Sequence, residues 1–463
     1  MRKDKSYYFC GIGGSGMLPL AMIVRENGAA VAGSDRALDQ GRLAAKFEWL
    51  QAKGIGLFAQ DGSGLTSGDQ ILIASAAIED TVPDVAKANA LGCKRMTRAE
   101  LLAEQFNATP RSIAIGGTSG KSTVTGMIGW ILTEAGRDPT IMNGAVMKNF
   151  VADDAPFASS RVGNGEIMVS EVDESDGSIA LFDPEIAVLN NVSLDHKSLE
   201  ELRMLFGDFA GKARHAVWNC DDAETATLVN GLTLEDAISF GFSEEADFRA
   251  TDIVEAPVSS QFVLHAGGER FDVSMRVPGR HNIANALAAV AAASAAGVPV
   301  QKSVEAIGDF VGLARRFDIV GTANDISVID DFGHNPDKIA ATLKTMKAFP
   351  GRIIAFFQPH GFGPIRKMGA ELAEVFADLL DEDDRVLLCD PVYFGGTVDR
   401  SLGSESVVDA IRNGPDARHI ANRDTCGDQI VQWAEPGDRI VIMGARDDTL
   451  HSFAVGLLQR LDA

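Results

Sequence analysis

Two glycine-rich loops, each set between an apolar strand and a helical stretch, constrain this chain more than any other feature. The stronger is Gly116-Gly117-Thr118-Ser119-Gly120-Lys121-Ser122-Thr123, which follows the apolar run Ile113-Ala114-Ile115 and precedes a helix expected near Val124. The strict phosphate-loop spacing fails because Ile115 stands where a glycine is required, but the shorter G-T-x-G-K-[ST] pattern is intact. Small residues let backbone N–H groups curl around phosphate oxygens. Lys121 then supplies a point charge on those oxygens, and the Ser122 hydroxyl is placed for Mg²⁺. The second loop, Gly11-Ile12-Gly13-Gly14-Ser15-Gly16, matches G-x-G-x-x-G, with Asp35 at the end of the next strand. This is the dinucleotide fingerprint, in which a helix start faces a pyrophosphate and an acid reads a ribose. Any diphosphate ligand, a UDP-sugar included, presents the same charge to it.

Three blocks follow from the alternation of strands and helices. Residues 1–108 open with a strand at Tyr7–Cys10, a helix at Met17–Asn27 and a strand at Ala29–Gly33. Asn107-Ala108-Thr109-Pro110-Arg111 reads as a linker. Residues 109–312 hold the Lys121 loop, strands at Glu166–Ser170 and Ile186–Asn190, a β-rich insert near 248–277, and an Ala-rich helix from Asn282 to Ala296. Residues 313–463 carry strands at 326–329, 352–357, 385–389 and 439–443, with helices at Pro336–Phe349 and Lys367–Leu380. Alternating elements of this kind predict an α/β fold with parallel, doubly wound sheets. A length of 463 residues accommodates about three domains.

Bulk properties exclude several functions. A net charge of −23 disfavours nucleic acid and anionic membranes as partners. The glycines after Cys10 break any signal-peptide pattern, and no apolar run reaches the roughly 18 to 20 residues of a spanning helix. Five scattered cysteines without a CxxC pair predict reduced thiols in a cytoplasmic protein.

Acids and histidines gather at expected strand ends, where the crevice of an open α/β sheet lies. Glu171, Asp173, Glu174 and Asp176 follow one strand, and Asp195-His196 comes after another. One or two of the acids can complete a Mg²⁺ shell. A histidine ligand is unusual for this ion, and spacing alone leaves His196 open. In the third block Asp330-Asp331-Phe332-Gly333-His334 and Phe357-Gln358-Pro359-His360 recur at similar places, and Arg315-Arg316-Phe317 stands at the domain boundary, from which an arginine can swing onto phosphates as a domain closes. A dehydrogenase explains the first loop but leaves the Lys121 loop and the acids without a use. An ATP-consuming ligase uses both.

Taken in order, these motifs, together with Pro278-Gly279-Arg280-His281-Asn282, resemble the Mur ligases of bacterial cell-wall synthesis. The likeness is greatest to the branch that joins L-alanine to UDP-N-acetylmuramate. The resemblance spans nearly the whole chain. It implies an N-terminal Rossmann-like domain for the UDP-sugar, a central ATPase domain and a C-terminal Rossmann-like domain for the amino acid. Gly11, Gly13, Gly14, Ser15, Gly16, Met17 and Asp35 are then substrate-binding. Gly117 to Thr123 cradle ATP, and Ser122, Glu171 and His196 serve Mg²⁺. His281 and Asn282 lie near adenine, Arg316 on the phosphates, and Asp330 or Asp331 at the ribose. Lys121, His196, Arg316, His334 and His360 form the catalytic set.

Three departures fall on this pattern. Ser119 stands where the family usually has His. Gly361-Phe362-Gly363-Pro364 replaces an Arg-Tyr pair with a further Arg, and Gly444-Ala445-Arg446-Asp447 replaces Gly-Ala-Gly-Asp. The amine pocket is therefore expected to differ, with Arg366 or Arg446 supplying the lost charge. The implied reaction activates the sugar acid as an acyl phosphate, which an amine then captures as the C-terminal domain closes. L-alanine, another amino acid and a short peptide remain open as amines, and monomer and homodimer as assemblies.

Overall fold

The computed structural model describes residues 5–76, 78–193, 197–392 and 399–462. Three sheets stand among them, in two compact units. The first unit comprises residues 1–254, 260–276 and 282–312, and the second comprises 255–259, 277–281 and 313–463.

The N-terminal sheet is parallel throughout, in the order Gly56–Phe58, Ala30–Ser34, Ser6–Cys10, Gln70–Ala74, Lys94–Thr97. Its central strand is apolar and buried along nearly its whole length, as a strand covered on both faces must be. The next sheet has ten strands, and its parallel core sets Arg111–Gly116 between Ile167–Glu171 and Ile186–Leu189. The order of connection reverses at that strand, so the loop leaving it opens into a crevice. The expected β-rich insert is present as Phe248–Ala256, Ser259–Ala266 and Glu269–Met275.

These two sheets share one core. Phe106 and Phe182, both fully buried, meet edge to face at 5.4 Å between centroids. Trp49 packs edge to face on Phe157 at 5.6 Å, and its indole N–H donates to the Asp154 carbonyl at 2.8 Å. Each buried aromatic of this size contributes several kcal/mol of burial, about 1.5–3 by area.

The second unit holds the six-stranded sheet, in the order Asp318–Ala323, Ile326–Asp331, Arg439–Gly444, Ile353–Gln358, Arg385–Leu388, Asp416–His419. Only the first of these runs antiparallel to its neighbour. The helix expected from Lys367 begins five residues earlier and spans Phe362–Leu379. Pro364 reads as a breaker in sequence, but in a first turn its missing N–H has no intrahelical partner to lose. Likewise the phosphate-loop helix starts at Lys121 rather than Val124.

No helix among the described residues is long and apolar enough to cross a membrane. The five cysteines stand free, four of them buried.

Candidate active site

The Lys121 loop leaves the central strand between the ends of its two neighbours, and side chains from that region hold it open. Asn191 accepts the Ser119 N–H on Oδ1 at 2.8 Å and donates back to the Ser119 carbonyl at 3.0 Å. Its own carbonyl takes the Thr118 N–H at 3.1 Å. Asn190 donates to Ser119 O at 2.9 Å and to Asn285 Oδ1 at 3.0 Å, and Asn285 donates to Asn282 Oδ1 at 3.2 Å. Gly120 has φ +84°, and a Cβ there would stand 2.3 Å from Asn190 and 2.6 Å from Asn285. Only glycine lets the loop pass this pair.

Lys121 reaches back across the loop, donating to Gly117 O at 2.6 Å and pairing with Glu174 at 2.8 Å. Ser122 Oγ donates to Glu171 Oε2 at 2.7 Å. Beside them a Cβ on Gly144 would lie 2.2 Å from Glu171 Oε1, so glycine keeps the flank of this pair clear. A hydroxyl and a carboxylate on a strand end are the oxygen donors that a hard divalent cation takes, and they fit Mg²⁺. Asp195 and His196, expected nearby, lie outside the described residues. Asp173 accepts from Ser175 N at 2.9 Å and Oγ at 2.7 Å. Burial pushes its carboxyl up, but these bonds and the charges of Lys121 and Arg98 outweigh burial and hold it below the ordinary value.

The first glycine loop is built otherwise. Amides of Gly11 and Ile12 both donate to Ser34 O at 2.9 Å, Gly14 N to Gly11 O at 3.1 Å, and Met17 N to Gly14 O at 3.0 Å. Gly13 N donates to Asp35 Oδ2 at 2.8 Å, while Asp35 Oδ1 caps the next short helix through Ala37 N at 2.8 Å. Asp35, expected to read a ribose, thus fixes the loop with one oxygen and the following helix with the other. Ser15 is exposed and Gly16 partly so, at the start of the helix Met17–Glu26.

In the second unit the neighbouring strands Ile326–Asp331, Arg439–Gly444 and Ile353–Gln358 bring their C-terminal ends together. Asp331 accepts Phe317 N at 2.8 Å on one oxygen, and Gly333 N at 2.8 Å and Thr342 Oγ1 at 3.0 Å on the other. Asp330 is fully buried, 3.0 Å from His451 Nδ1 and 3.5 Å from Arg315 Nε. Of the two acids expected at a ribose, Asp331 braces its own loop, and Asp330 pairs with His451 and Arg315. Arg316 stacks over Phe332 at 4.3 Å. His334 and His360 meet edge to face at 5.1 Å, and His334 Nδ1 lies 2.9 Å from Phe332 O. Burial, aided by the Lys338 charge, pushes the His334 imidazole down to about 3, so it is neutral at physiological pH. His281 is exposed, with its ring against Gly279.

The two candidate arginines differ. Arg366 is tied to Asp399, at 2.6 Å to its carbonyl and 3.3 Å to its carboxylate. Arg446 is exposed and sits at φ +62°, a conformation that costs a non-glycine residue on the order of 1 kcal/mol. Its loop is clamped. Arg315 donates to Gly444 O at 2.8 Å and Asp447 O at 3.1 Å, while Gln358 and Arg423 hold Asp447 Oδ2 at 2.8 and 3.0 Å.

Residues absent from the expected set carry much of this geometry. Glu174 was visible only as one of four clustered acids. Asn190 and Asn191 follow a strand without a motif, and Asn285 announces itself only as a polar residue within an alanine run. Arg98 has no local signal.

Three stretches match descriptions of one family. Residues 6–109 match "Mur ligase family, catalytic domain", residues 115–293 "Mur ligase middle domain", and residues 315–446 "Mur ligase, glutamate ligase domain". The chain belongs to the Mur ligase family. Among its curated relatives, the UDP-N-acetylmuramate–L-alanine ligase of Geobacter sp. (strain M21) is 34% identical, covering 96% of this chain and 95% of the relative. That of Allorhizobium ampelinum is 33% identical, covering 98% and 97%. In fold, the chain is similar to the UDP-N-acetylmuramate-alanine ligase MurC of Thermotoga maritima, with TM-score 0.78, 23% identity and 98% of each chain covered. It is also similar to a murein peptide ligase of Psychrobacter arcticus, with TM-score 0.74, 24% identity and 99% of each chain covered.

Proposed function

We propose that this chain is an ATP-dependent, ADP-forming ligase that joins L-alanine, or a closely similar amine, to the carboxylate of UDP-N-acetylmuramate in peptidoglycan synthesis. The observation that carries this reading is the stapled phosphate loop, with Lys121 and the Ser122–Glu171 pair at the switch point of the central sheet. In this assignment residues 1–108 take the UDP-sugar, 109–312 take ATP and 313–463 take the amine. The curated relatives share this activity by name and nearly the full length.

A carboxylate oxygen of the sugar acid attacks the γ-phosphorus, and the bond to ADP breaks. The amine nitrogen then attacks the acyl carbon, the bond to the phosphate oxygen breaks, and a proton leaves the nitrogen. Lys121 exchanges Glu174 for phosphate oxygens and neutralises their charge, and the fixed loop amides position them. Mg²⁺, held by Ser122 and Glu171 with His196 as a third ligand, would supply further charge neutralisation there. Arg316, His281, Asn282, Asp330 and Asp331 serve the nucleotide, and His334 and His360 the reacting groups. Neutral His334 acts as a hydrogen-bonding group rather than a base.

For the amine's carboxylate we assign Arg446 rather than Arg366, because Arg366 already has a carboxylate partner and Arg446 is presented on a clamped loop. Arg446→Ala is expected to raise KM for the amine about 10- to 100-fold, as loss of a charge-assisted hydrogen bond does. An unchanged KM removes the assignment. A second reading, transfer of a short peptide, is favoured by the changed segment Gly361-Phe362-Gly363-Pro364, in which Gly361 precedes the helix and the other three open its first turn. Phosphate release from ATP with UDP-N-acetylmuramate over a panel of amino acids and peptides tests both. Release requiring the sugar and L-alanine supports the first reading, release requiring a peptide supports the second, and release with no amine of the panel contradicts both.

A further inference from the structure

Arg446 holds a conformation that its own side chain disfavours. At φ +62° it lies in the left-handed region, which a residue with a Cβ keeps only where its surroundings fix it. The next residue supplies the fixing. Asp447 Oδ1 accepts Thr449 N at 3.0 Å and Thr449 Oγ1 at 2.6 Å, at the start of the helix Thr449–Asp462. The other oxygen has no part in that helix start, yet it takes two more donors, Gln358 Nε2 at 2.8 Å and Arg423 Nη1 at 3.0 Å. Burial pushes the Asp447 carboxyl up, but the bonds from Thr449 and Gln358 and the charge of Arg423 outweigh burial and hold it below the ordinary value.

Arg423 joins two segments of the site. The strands Ile353–Gln358 and Arg439–Gly444 are parallel neighbours that end in register, with Gln358 opposite Gly444. The first leads into His360 and the second into Arg446. The Arg423 nitrogen that reaches Asp447 also reaches Gln358 Oε1 at 3.3 Å. Gln358 thus accepts from Arg423 and donates to Asp447, and the three side chains close a ring. The helix Arg423–Trp433 has no need of this arginine, because Asn422 caps it through Thr425 N at 3.0 Å. A cation at its first residue opposes the helix dipole. The Phe453 ring, 5.6 Å from the guanidinium, packs against the arginine. What Arg423 secures is the 444–447 loop against the strand end that carries His360.

We infer that Arg423 is a positioning residue for the amine substrate: through Asp447 it keeps Arg446 in its left-handed conformation, and through Gln358 it sets that arginine in a fixed relation to His360. The inference rests on the assignment of the amine's carboxylate to Arg446 above.

The test is steady-state phosphate release with ATP, UDP-N-acetylmuramate and L-alanine for the intact wild-type chain, Arg423→Ala, Arg423→Lys, Arg446→Ala and the double variant Arg423→Ala/Arg446→Ala, with melting temperature as a folding control. Arg423→Ala is expected to raise KM for L-alanine about 10-fold, with KM for ATP and for the sugar acid held. In the Arg446→Ala background the same change should add little, because both act through one contact. Arg423→Lys keeps the charge but not the fork, so its KM should lie between wild type and Arg423→Ala, and it decides the matter if Arg423→Ala does not fold. No phosphate release by wild type with L-alanine overturns the proposed function, and an unchanged KM in Arg446→Ala overturns the Arg446 assignment; the inference falls with either. A raised KM in Arg446→Ala beside an unchanged KM in the Arg423 variants overturns the inference alone. So do rises that multiply in the double variant, or a rise shared by all three substrates, which assign Arg423 to the general stability of the fold.

Discussion

The two glycine loops, each opening a helix, are held by different means. The Lys121 loop carries its own cation in sequence and is held from outside by Asn190 and Asn191, with Asn285 behind them. The Gly11 loop is held by its own amides and by Asp35, and the cations beside it come from elsewhere in the chain: Lys46 donates to Gly13 O at 3.3 Å, and Arg98 lies against Gly16. A loop motif therefore reports that a turn can face phosphate, but not where the neutralising charge originates. Charge that is local in sequence is legible, and charge delivered by the fold is not.

The largest effect expected to sharpen this contrast is at Lys121. Lys121→Ala should lower kcat about 100- to 1,000-fold or more while leaving UDP-N-acetylmuramate binding intact, measured by phosphate release and calorimetry. A parallel loss of sugar-nucleotide binding would break the division of labour between the loops.

Asn191→Ala should act next, by loosening a loop rather than removing a charge. It orphans the Ser119 N–H and takes one of two donors from the Ser119 carbonyl, which costs about 1–3 kcal/mol in urea melts, and it should raise KM for ATP without moving KM for the sugar acid. If stability and KM for ATP both stay at wild-type values, the asparagine staple is not what shapes the loop.

The smallest effect concerns pH. The unfolded chain protonates His334 below about 6.5, whereas the folded chain resists protonation until about 3. The contribution of His334 to stability is therefore full above 6.5 and is lost as pH falls towards 3. His334→Phe should make the decline of stability between pH 7 and pH 5 shallower than in wild type. Equal declines would show that His334 is not held neutral by its surroundings.

Sequence made the α/β alternation and both loops plain because apolar runs, glycines and helix starts are local signals. It misplaced the start of Phe362–Leu379 because Gly361, Gly363 and Pro364 spell a turn locally, and only the packed helix shows that a first turn tolerates them. Two-residue and three-residue strands such as Ser160–Arg161 and Thr140–Met142 owe their form to a neighbour and carry no pattern of their own. At the site, Lys121, Ser122 and Glu171 were named from motif and strand end, and they lie together. Asp35, Asp330 and Asp331 were named as ligand-facing, and their oxygens also meet partners within the chain: Gly13 and Ala37 amides at Asp35, His451 at Asp330, and the Phe317 and Gly333 amides at Asp331. A carboxylate at a strand end looks the same in sequence whether it faces a ligand or fastens its own loop.

The most direct test of the account follows oxygen. UDP-N-acetylmuramate labelled with ¹⁸O in its carboxylate is turned over with ATP, Mg²⁺ and the amine, and the released phosphate is weighed by mass spectrometry. Activation of the carboxylate on the γ-phosphate predicts one labelled oxygen in each phosphate released. Phosphate free of label, with solvent oxygen in its place, would mean that this chain hydrolyses ATP without activating the acid, and would contradict the ligase reading.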